Sequence, residues 1–293
     1  MLSVLIPCYN YDATLLLKKI HKQLIRQSFQ HEIILIDDCS TNDLLDQKNK
    51  KIAEKVNAIY IKNKENLGRT ATRQKLAKTA RYDKLLFMDA DVLPVNENFI
   101  ETFNIENDNH DVIFGGITYS KERPEKKMRL RWTYGKAREA KDNKERLENP
   151  YLSIISQCFL IRKSVFLSAN NFLENKYGVD IVFCFNLKRL NASIKHIENP
   201  ILHLGLEYNS SFIKKTEKGL ESLLEFEKRE LIPNNFKKLQ SYYQKLAKTG
   251  LNKIYEIVFT IVKTTVLRNL KSSNPSLLLF DLYRLYYFSR LHK

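Results

Sequence analysis

Through the first 120 residues of this chain, short unbroken apolar runs alternate with amphipathic stretches, and no other feature restricts the fold so strongly. The runs are "LSVLIP", "EIILIDD", "NAIYIKN", "KLLFMDAD" and "DVIFGGITY". Between them stand "ATLLLKKIHKQLIRQ", "LLDQKNKKIAEKV" and "TATRQKLAKTA". Valine, isoleucine and leucine that do not alternate with polar residues describe strands covered on both faces, as in a parallel sheet joined by right-handed helical crossovers. The order therefore predicts an α/β fold with a mostly parallel central sheet. In such sheets ligands gather beyond the carboxyl ends of the strands. Here those ends read "IPCYN", "IDDCS", "KNKENLG" and "MDADV".

Each end admits a chemical use. Asp37 and Asp38 stand side by side, and Ser40, Thr41 and Asn42 behind them suit a helix cap. A cap does not need two adjacent carboxylates, whereas a uracil imide or a ribose can donate to them. In "KENLGRTATRQKLAKTA" a glycine leads into a helix whose first turns carry Arg69 and Arg73. Helix N-terminal amides and arginines suit a diphosphate, although an exposed helix face would hold the same arginines. Asp89 and Asp91 would point to opposite faces of a continuing strand, but at a strand end, where the chain turns, both reach one cation. Their oxygens suit Mg²⁺ or Mn²⁺ bound alongside substrate phosphates.

Charge narrows the partners. Lys and Arg number 49 against 33 Asp and Glu, a net charge of +16, which favours nucleotide, nucleic acid or an anionic membrane surface. Residues 121–149 hold 11 basic and 6 acidic residues, and such a run reads most simply as a solvated loop or helix face. No nucleic-acid-binding signature accompanies the charge, which weakens the reading as a non-enzymatic polyanion binder. A nucleotidyltransferase would carry a glycine-rich basic loop after the first strand, where "IPCYNYDATL" has none. Cys8, Cys39, Cys158 and Cys184 form no CxxC pair and no disulfide framework. The opening "MLSVLIPCYN" lacks the basic start and cleavage site of a signal peptide, so the expected compartment is a reducing cytoplasm.

Taken together, these motifs resemble the family 2 glycosyltransferases of the GT-A fold. "SVLIPCYNYDATL" stands for the opening strand, "EIILIDDCSTND" for the strand and turn that hold the nucleoside, and "NKENLGRTATRQK" for the loop and helix that follow. "LLFMDADV" stands for the D-x-D metal motif. The resemblance implies a Rossmann-like GT-A catalytic domain over 1–208, with a nucleotide-sugar-binding half (1–95) and an acceptor-side half (96–208), then a helical region over 209–293. It implies nucleotide contacts from Pro7, Tyr9, Asp37, Asp38, Asn66, Gly68, Arg73 and Asp89, and a divalent cation, Mn²⁺ or Mg²⁺, on Asp89 and Asp91. The implied activity is inverting transfer of a sugar, with a UDP-sugar the expected donor, to a hydroxyl of a glycan or lipid-linked acceptor, as in polysaccharide biosynthesis.

The resemblance continues more weakly to about residue 208. There the family shows a Glu-Asp pair whose aspartate is the catalytic base. In "YGVDIVFCFNLKRL" Asp180 matches that base while Val179 replaces the glutamate. Asp180 also suits a helix cap, and Glu174 is the spare carboxylate. A carboxylate with a pKa of about 4 is a weak base, but proton removal late in an oxocarbenium-like displacement asks chiefly for placement. His203, in "NPILHLGLE", matches a histidine that completes the metal site in relatives, although a lone histidine beside apolar residues is equally a core residue. His196 matches no motif and reads as structural.

Residues 210–293 show apolar positions three and four apart and predict amphipathic helices. The densest run, "IYEIVFTIV" (254–262), is too short to span a bilayer and is flanked by Lys253 and Lys263. The closing "SLLLFDLYRLYYFSRLHK" mixes aromatics with Arg284, Arg290 and Lys293, a composition suited to a membrane interface. Packing on the catalytic domain, or pairing with a second copy as a homo-oligomer, would bury the same surface. The expected partners are a nucleotide-sugar donor, its acceptor, and peripherally the inner face of the cell membrane, with no nucleic acid.

Overall fold

The apolar runs form strands where the periodicity places them. In this computed structural model, which describes residues 1–292 apart from 104 and 106, β1 (Leu2–Cys8), β2 (His31–Asp37), β3 (Ile59–Lys62) and β4 (Lys84–Met88) alternate with helices. These are α1 (Thr14–Leu24), α2 (Asp43–Lys55) and α3 (Arg69–Thr79). Lys293, part of the basic terminus noted above, lies outside the described residues. The four strands pair in parallel in the order β3, β2, β1, β4. Leu5, Ile34, Ile36, Leu85 and Phe87 are wholly buried, as strands covered on both faces require. α1 turns Leu16, Leu17, Ile20 and Leu24 inward, one helical face. Of Ser40, Thr41 and Asn42 it is Asn42 that caps α2, accepting from the Leu45 amide at 3.2 Å.

After β4 the chain runs through β5 (Val92–Pro94), α4 (Phe99–Thr102), β6 (Val112–Phe114), β7 (Ile117–Thr118), α5 (Arg129–Tyr134) and α6 (Asn143–Leu147). Next come β8 (Cys158–Arg162), α7 (Lys163–Ala169), α8 (Asp180–Arg189), β9 (Ile194–His196) and β10 (Ile201–His203). β8 joins the main sheet antiparallel to β4 and is followed by β6 and β9, so the order is β3-β2-β1-β4-β8-β6-β9. A small second sheet has the order β5-β10-β7. In it β10 runs antiparallel to β5, with His203 opposite Val92.

The chain divides into two compact units. One comprises residues 1–120, 139–175 and 183–205; the other comprises 121–138, 176–182 and 206–293. The second contains α9 (Asn209–Lys228), α10 (Lys238–Lys248), α11 (Leu251–Leu270) and α12 (Leu277–Leu291), which close over Leu130, Phe212, Phe259, Leu270, Phe280 and Tyr283. Among the described residues no helix is long and apolar enough to cross a membrane.

The basic stretch 121–149 is not a uniformly solvated face. Leu130 is wholly buried in the helical core. In the other unit the Arg146 side chain is only 2% exposed and donates to the carbonyls of Lys141 and Ile197 and to Glu198. A charge count does not distinguish a solvated guanidinium from one buried over backbone carbonyls that accept from it.

β4 is the hinge of the sheet, since it carries parallel pairing on one side and antiparallel on the other. Its Phe87 lies opposite Phe159, with ring centroids 5.2 Å apart, and 4.4 Å from the ring of Phe166. Phe87→Ala is expected to lower the unfolding free energy by about 3–5 kcal/mol, the cost of an unfilled aromatic site. Denaturant unfolding checks this, and a loss below about 1 kcal/mol would show that the cluster repacks.

Candidate active site

The ends of β1, β2 and β3 are tied together by the two adjacent aspartates. Asp37 accepts from the Ser40 amide at 2.7 Å and the Ser40 hydroxyl at 2.6 Å, which folds the turn after β2 back on itself. Cys39, inside that turn, takes a φ of +64°. Asp38 faces the loop after β3: it accepts from Asn63 Nδ2 at 2.7 Å and from the amides of Leu67 and Gly68 at 2.9 Å each. Asn66 Nδ2 donates to the Asp38 carbonyl at 3.1 Å. Both carboxylates are buried, so two loops distant in sequence are fixed by anionic acceptors holding their amides. Asn10, after β1, joins the same group, accepting from Thr41 and Asn42 amides at 2.9 and 3.2 Å. Pro7 is half-buried and Tyr9, 49% exposed, stands open to solvent beside them in the chain. The turn contacts of Asn10, Ser40 and Asn63 are absent from the sequence reading, which had no pattern to assign them.

Gly68 opens α3 with a φ of +81°, a conformation that only glycine adopts without strain. A Cβ there would stand 2.3 Å from Asn175 Cγ. The first two turns of α3 then deliver Arg69 and Arg73 to one carboxylate. Arg73 donates to Asp89 Oδ1 at 2.6 Å and also to the Ser156 carbonyl, and Arg69 lies 3.6 Å from Asp89 Oδ2. The exposures separate the two. Arg73 is 5% exposed and Arg69 is 46%. Breaking a buried ion pair costs about 3–5 kcal/mol, so Arg73 is held inward, while Arg69 keeps nearly half of its side chain in solvent. Burial pushes the Asp89 carboxyl up from its ordinary value, against the pull of Arg73 and Arg69.

Asp91 faces the other way. Its Oδ2 lies 3.3 Å from His203 Nε2, a contact set by the antiparallel register of β5 with β10 and fastened by the Leu204 amide on the Asp91 carbonyl at 2.9 Å. Burial opposes its ionisation, but His203 and Arg69 outweigh it and hold the carboxyl below the usual range. His203 Nδ1 is buried without a hydrogen-bond partner among the described residues, and its ring meets Tyr119 edge-on at 5.4 Å. Gly205 leaves room beside the pair: a Cβ would fall 1.9 Å from Asp91 Oδ2 and 3.1 Å from His203 Nε2. This cradle suits a divalent ion, because a carboxylate and an imidazole are both ligands for Mn²⁺ and leave positions for other oxygens. Among the described residues no group of three His, Cys, Asp or Glu could hold a metal unaided. Gly205 escaped the sequence reading although "HLG" placed it two residues after the histidine.

Asp180 is the first residue of α8 and lies in the second unit, half-buried, where the helix N-terminus favours a negative charge. Val179 before it is buried and Glu174 is exposed. His196 Nε2 donates to the Pro150 carbonyl, 3.0 Å away, and the ring packs on Phe114, the structural role its lack of a motif suggested. Burial, then Asp37, pushes the Cys8 thiol up to about 12, which disfavours its thiolate at neutral pH.

Comparison with known proteins places this geometry. Residues 3–168, more than half of the chain, match the glycosyl transferase family 2 model. A protein of Bacillus subtilis named as the teichuronic acid biosynthesis glycosyltransferase TuaG is 33% identical over 94 residues, 31% of this chain and 36% of its own length. The match therefore spans about a third of that relative. Among solved structures, Staphylococcus aureus TarS 1–349 in complex with UDP-GlcNAc is 19% identical with a TM-score of 0.51, covering 100% of this chain and 92% of its own. Glucosyl-3-phosphoglycerate synthase of Mycobacterium tuberculosis, in complex with Mg²⁺ and UDP, is 15% identical with a TM-score of 0.51, covering 76% and 78%. At such identities the likeness speaks for the fold, which is the GT-A fold.

The loop held by Asp38 depends on Gly68. Gly68→Ala is expected to cost about 1–3 kcal/mol through the positive φ and the crowding at Asn175. Urea unfolding of the variant checks it, and an unchanged midpoint would mean that the loop is not fixed as described.

Proposed function

Since the chain belongs to glycosyl transferase family 2, we propose that it transfers a sugar from a nucleoside-diphosphate sugar, a UDP-sugar in the first instance, to a hydroxyl of a glycan or lipid-linked acceptor, with inversion at the anomeric carbon. The observation that carries this reading is the convergence on one strand end of an exposed arginine, a buried arginine–aspartate pair, and the Asp91–His203 pair beside Gly205. That combination fits a diphosphate and a cation together. The UDP and UDP-GlcNAc complexes of the structural neighbours support the donor class, and the Mg²⁺ in one of them supports the metal. The Bacillus relative is named for teichuronic acid biosynthesis, which fits a glycan acceptor.

In this reading the turns at Pro7, Tyr9, Asp37, Asp38 and Asn66 shape the nucleoside seat, with the exposed Tyr9 ring available to the base. Gly68 lets the chain start α3 at the phosphates, whose charge meets the helix N-terminus and Arg69. Arg73 adds its charge from beneath the diphosphate, where Asp89 holds both arginines, and Asp89, Asp91 and His203 would hold Mn²⁺ or Mg²⁺. The bound cation supplies neutralisation of charge on the departing nucleoside diphosphate. Asp180 takes the proton of the acceptor hydroxyl as its oxygen bonds to the anomeric carbon and the carbon–oxygen bond to the diphosphate breaks. With Val179 in place of a glutamate, one carboxylate performs that task. A cytoplasmic site of action, contact of the C-terminal helices with a membrane, and self-association all fit a lipid-linked acceptor.

Release of UDP from a panel of UDP-sugars, with Mn²⁺ and with a chelator, tests the proposal. Asp180→Asn is expected to lower turnover by roughly 10²–10⁴-fold with donor binding retained, the range for loss of a general base. Asp91→Asn is expected to abolish Mn²⁺-dependent UDP binding while the protein stays folded, because the residue sits at a strand end rather than in the core. Undiminished turnover in the first variant would move the base to Glu174 or water. Unchanged Mn²⁺ dependence in the second would remove the metal assignment.

A further inference from the structure

Helix α11 is apolar on both of its sides. Its inner side packs within the helical unit: Phe259 stacks on Tyr286 at 4.7 Å, and the Tyr255 hydroxyl donates to the Leu282 carbonyl at 2.6 Å. Its outer side carries Leu251, Ile254, Ile257, Val258, Ile261 and Val262, which at 100° per residue fall on one stripe. All six are exposed, Ile257 by 65% and Ile261 by 78%. An apolar stripe this continuous on a helix surface marks a contact with something else.

Charge says what that something is. Residues 237–271 contain eight lysines and arginines and a single acid, Glu256. Glu256 is buried and accepts from the Ser289 hydroxyl at 2.7 Å, so the outer surface of α10 and α11 offers no anion at all. Two copies meeting through this stripe would set the same cations against each other. An anionic bilayer would instead give every lysine a phosphate partner at the headgroup level while the isoleucines enter the acyl boundary. We propose that α10 and α11 form a peripheral docking surface for anionic phospholipid, with the α11 stripe as the inserted element and Lys245, Lys248 and Lys253 as its electrostatic rim. The proposal does not depend on the transferase reading, because no residue of the candidate active site takes part.

The test is sedimentation of the full chain with phosphatidylglycerol vesicles and with pure phosphatidylcholine vesicles, at low and high salt. Binding to the anionic vesicles at low salt, weakened by salt and much lower on phosphatidylcholine, is expected. Ile254→Ser/Ile257→Ser/Ile261→Ser should reduce it at least about 100-fold, since each exposed isoleucine contributes roughly a factor of ten on burial. Lys245→Gln/Lys248→Gln/Lys253→Gln should reduce it by about fivefold per lysine at low salt. All six side chains are exposed, so thermal melting of both variants should match the wild type. No binding to anionic vesicles at low salt would overturn the proposal, as would equal binding by the isoleucine variant. A wild-type dimer that this variant converts to a monomer without lipid would assign the stripe to a second copy and overturn it as well.

Discussion

Four parallel strands, three of them buried on both faces, must all deliver their polar ends to the same edge of the sheet, and that constraint governs everything at this site. Inside the sheet Val, Ile, Leu and Phe have no polar atoms to satisfy. At the edge the backbone turns, its amides lose their ladder partners, and each unpaired buried donor costs roughly 1–3 kcal/mol. The chain meets this with carboxylates. Asp37 takes the turn after β2, Asp38 takes the loop after β3, and Asp89 takes the arginines of α3. The same edge thereby becomes rigid and densely polar, which a site for a charged ligand needs.

The two aspartates of "DAD" divide their labour because the chain turns between them. Asp89, the residue just after β4, is drawn into the buried pair with Arg73, whose guanidinium also holds the Ser156 carbonyl. Asp91 ends that turn immediately before β5, whose pairing with β10 brings His203 to it. One aspartate organises cations of the protein and the other is set beside an imidazole and an open glycine cradle. Chemical roles that look interchangeable in the sequence are separated by one residue of backbone.

How much of this was legible follows from the range of the interactions. The parallel sheet, the helix starting at Gly68 and the polar strand ends are local patterns, and the sequence displays them directly. The partnership of Asp91 with His203 was legible only through family resemblance, since it depends on the register of two strands far apart in the chain. Whether Asp37 and Asp38 face a ligand or their own loops was not legible, because adjacent carboxylates read the same in both cases. The grouping of 121–138 and 176–182 with the C-terminal helices left no periodic trace either. In the tail the helices were legible and the facing of "IYEIVFTIV" was not: a run apolar on both sides has too weak a moment to say which side is covered.

The central claim is that the strand-end turns and the Asp91–His203 cradle form one seat for a nucleoside diphosphate and its metal. Hydrogen exchange of the full chain with UDP and Mn²⁺, against the chain alone, tests this most directly. Slower exchange is predicted for the amides of the turn at Asp38–Asn42, the loop at Asn66–Arg69, and the segments around Asp91 and Gly205, with the Asp91 and Gly205 effects lost when Mn²⁺ is withheld. Protection confined to other parts of the chain, or none at saturating ligand, would contradict the account.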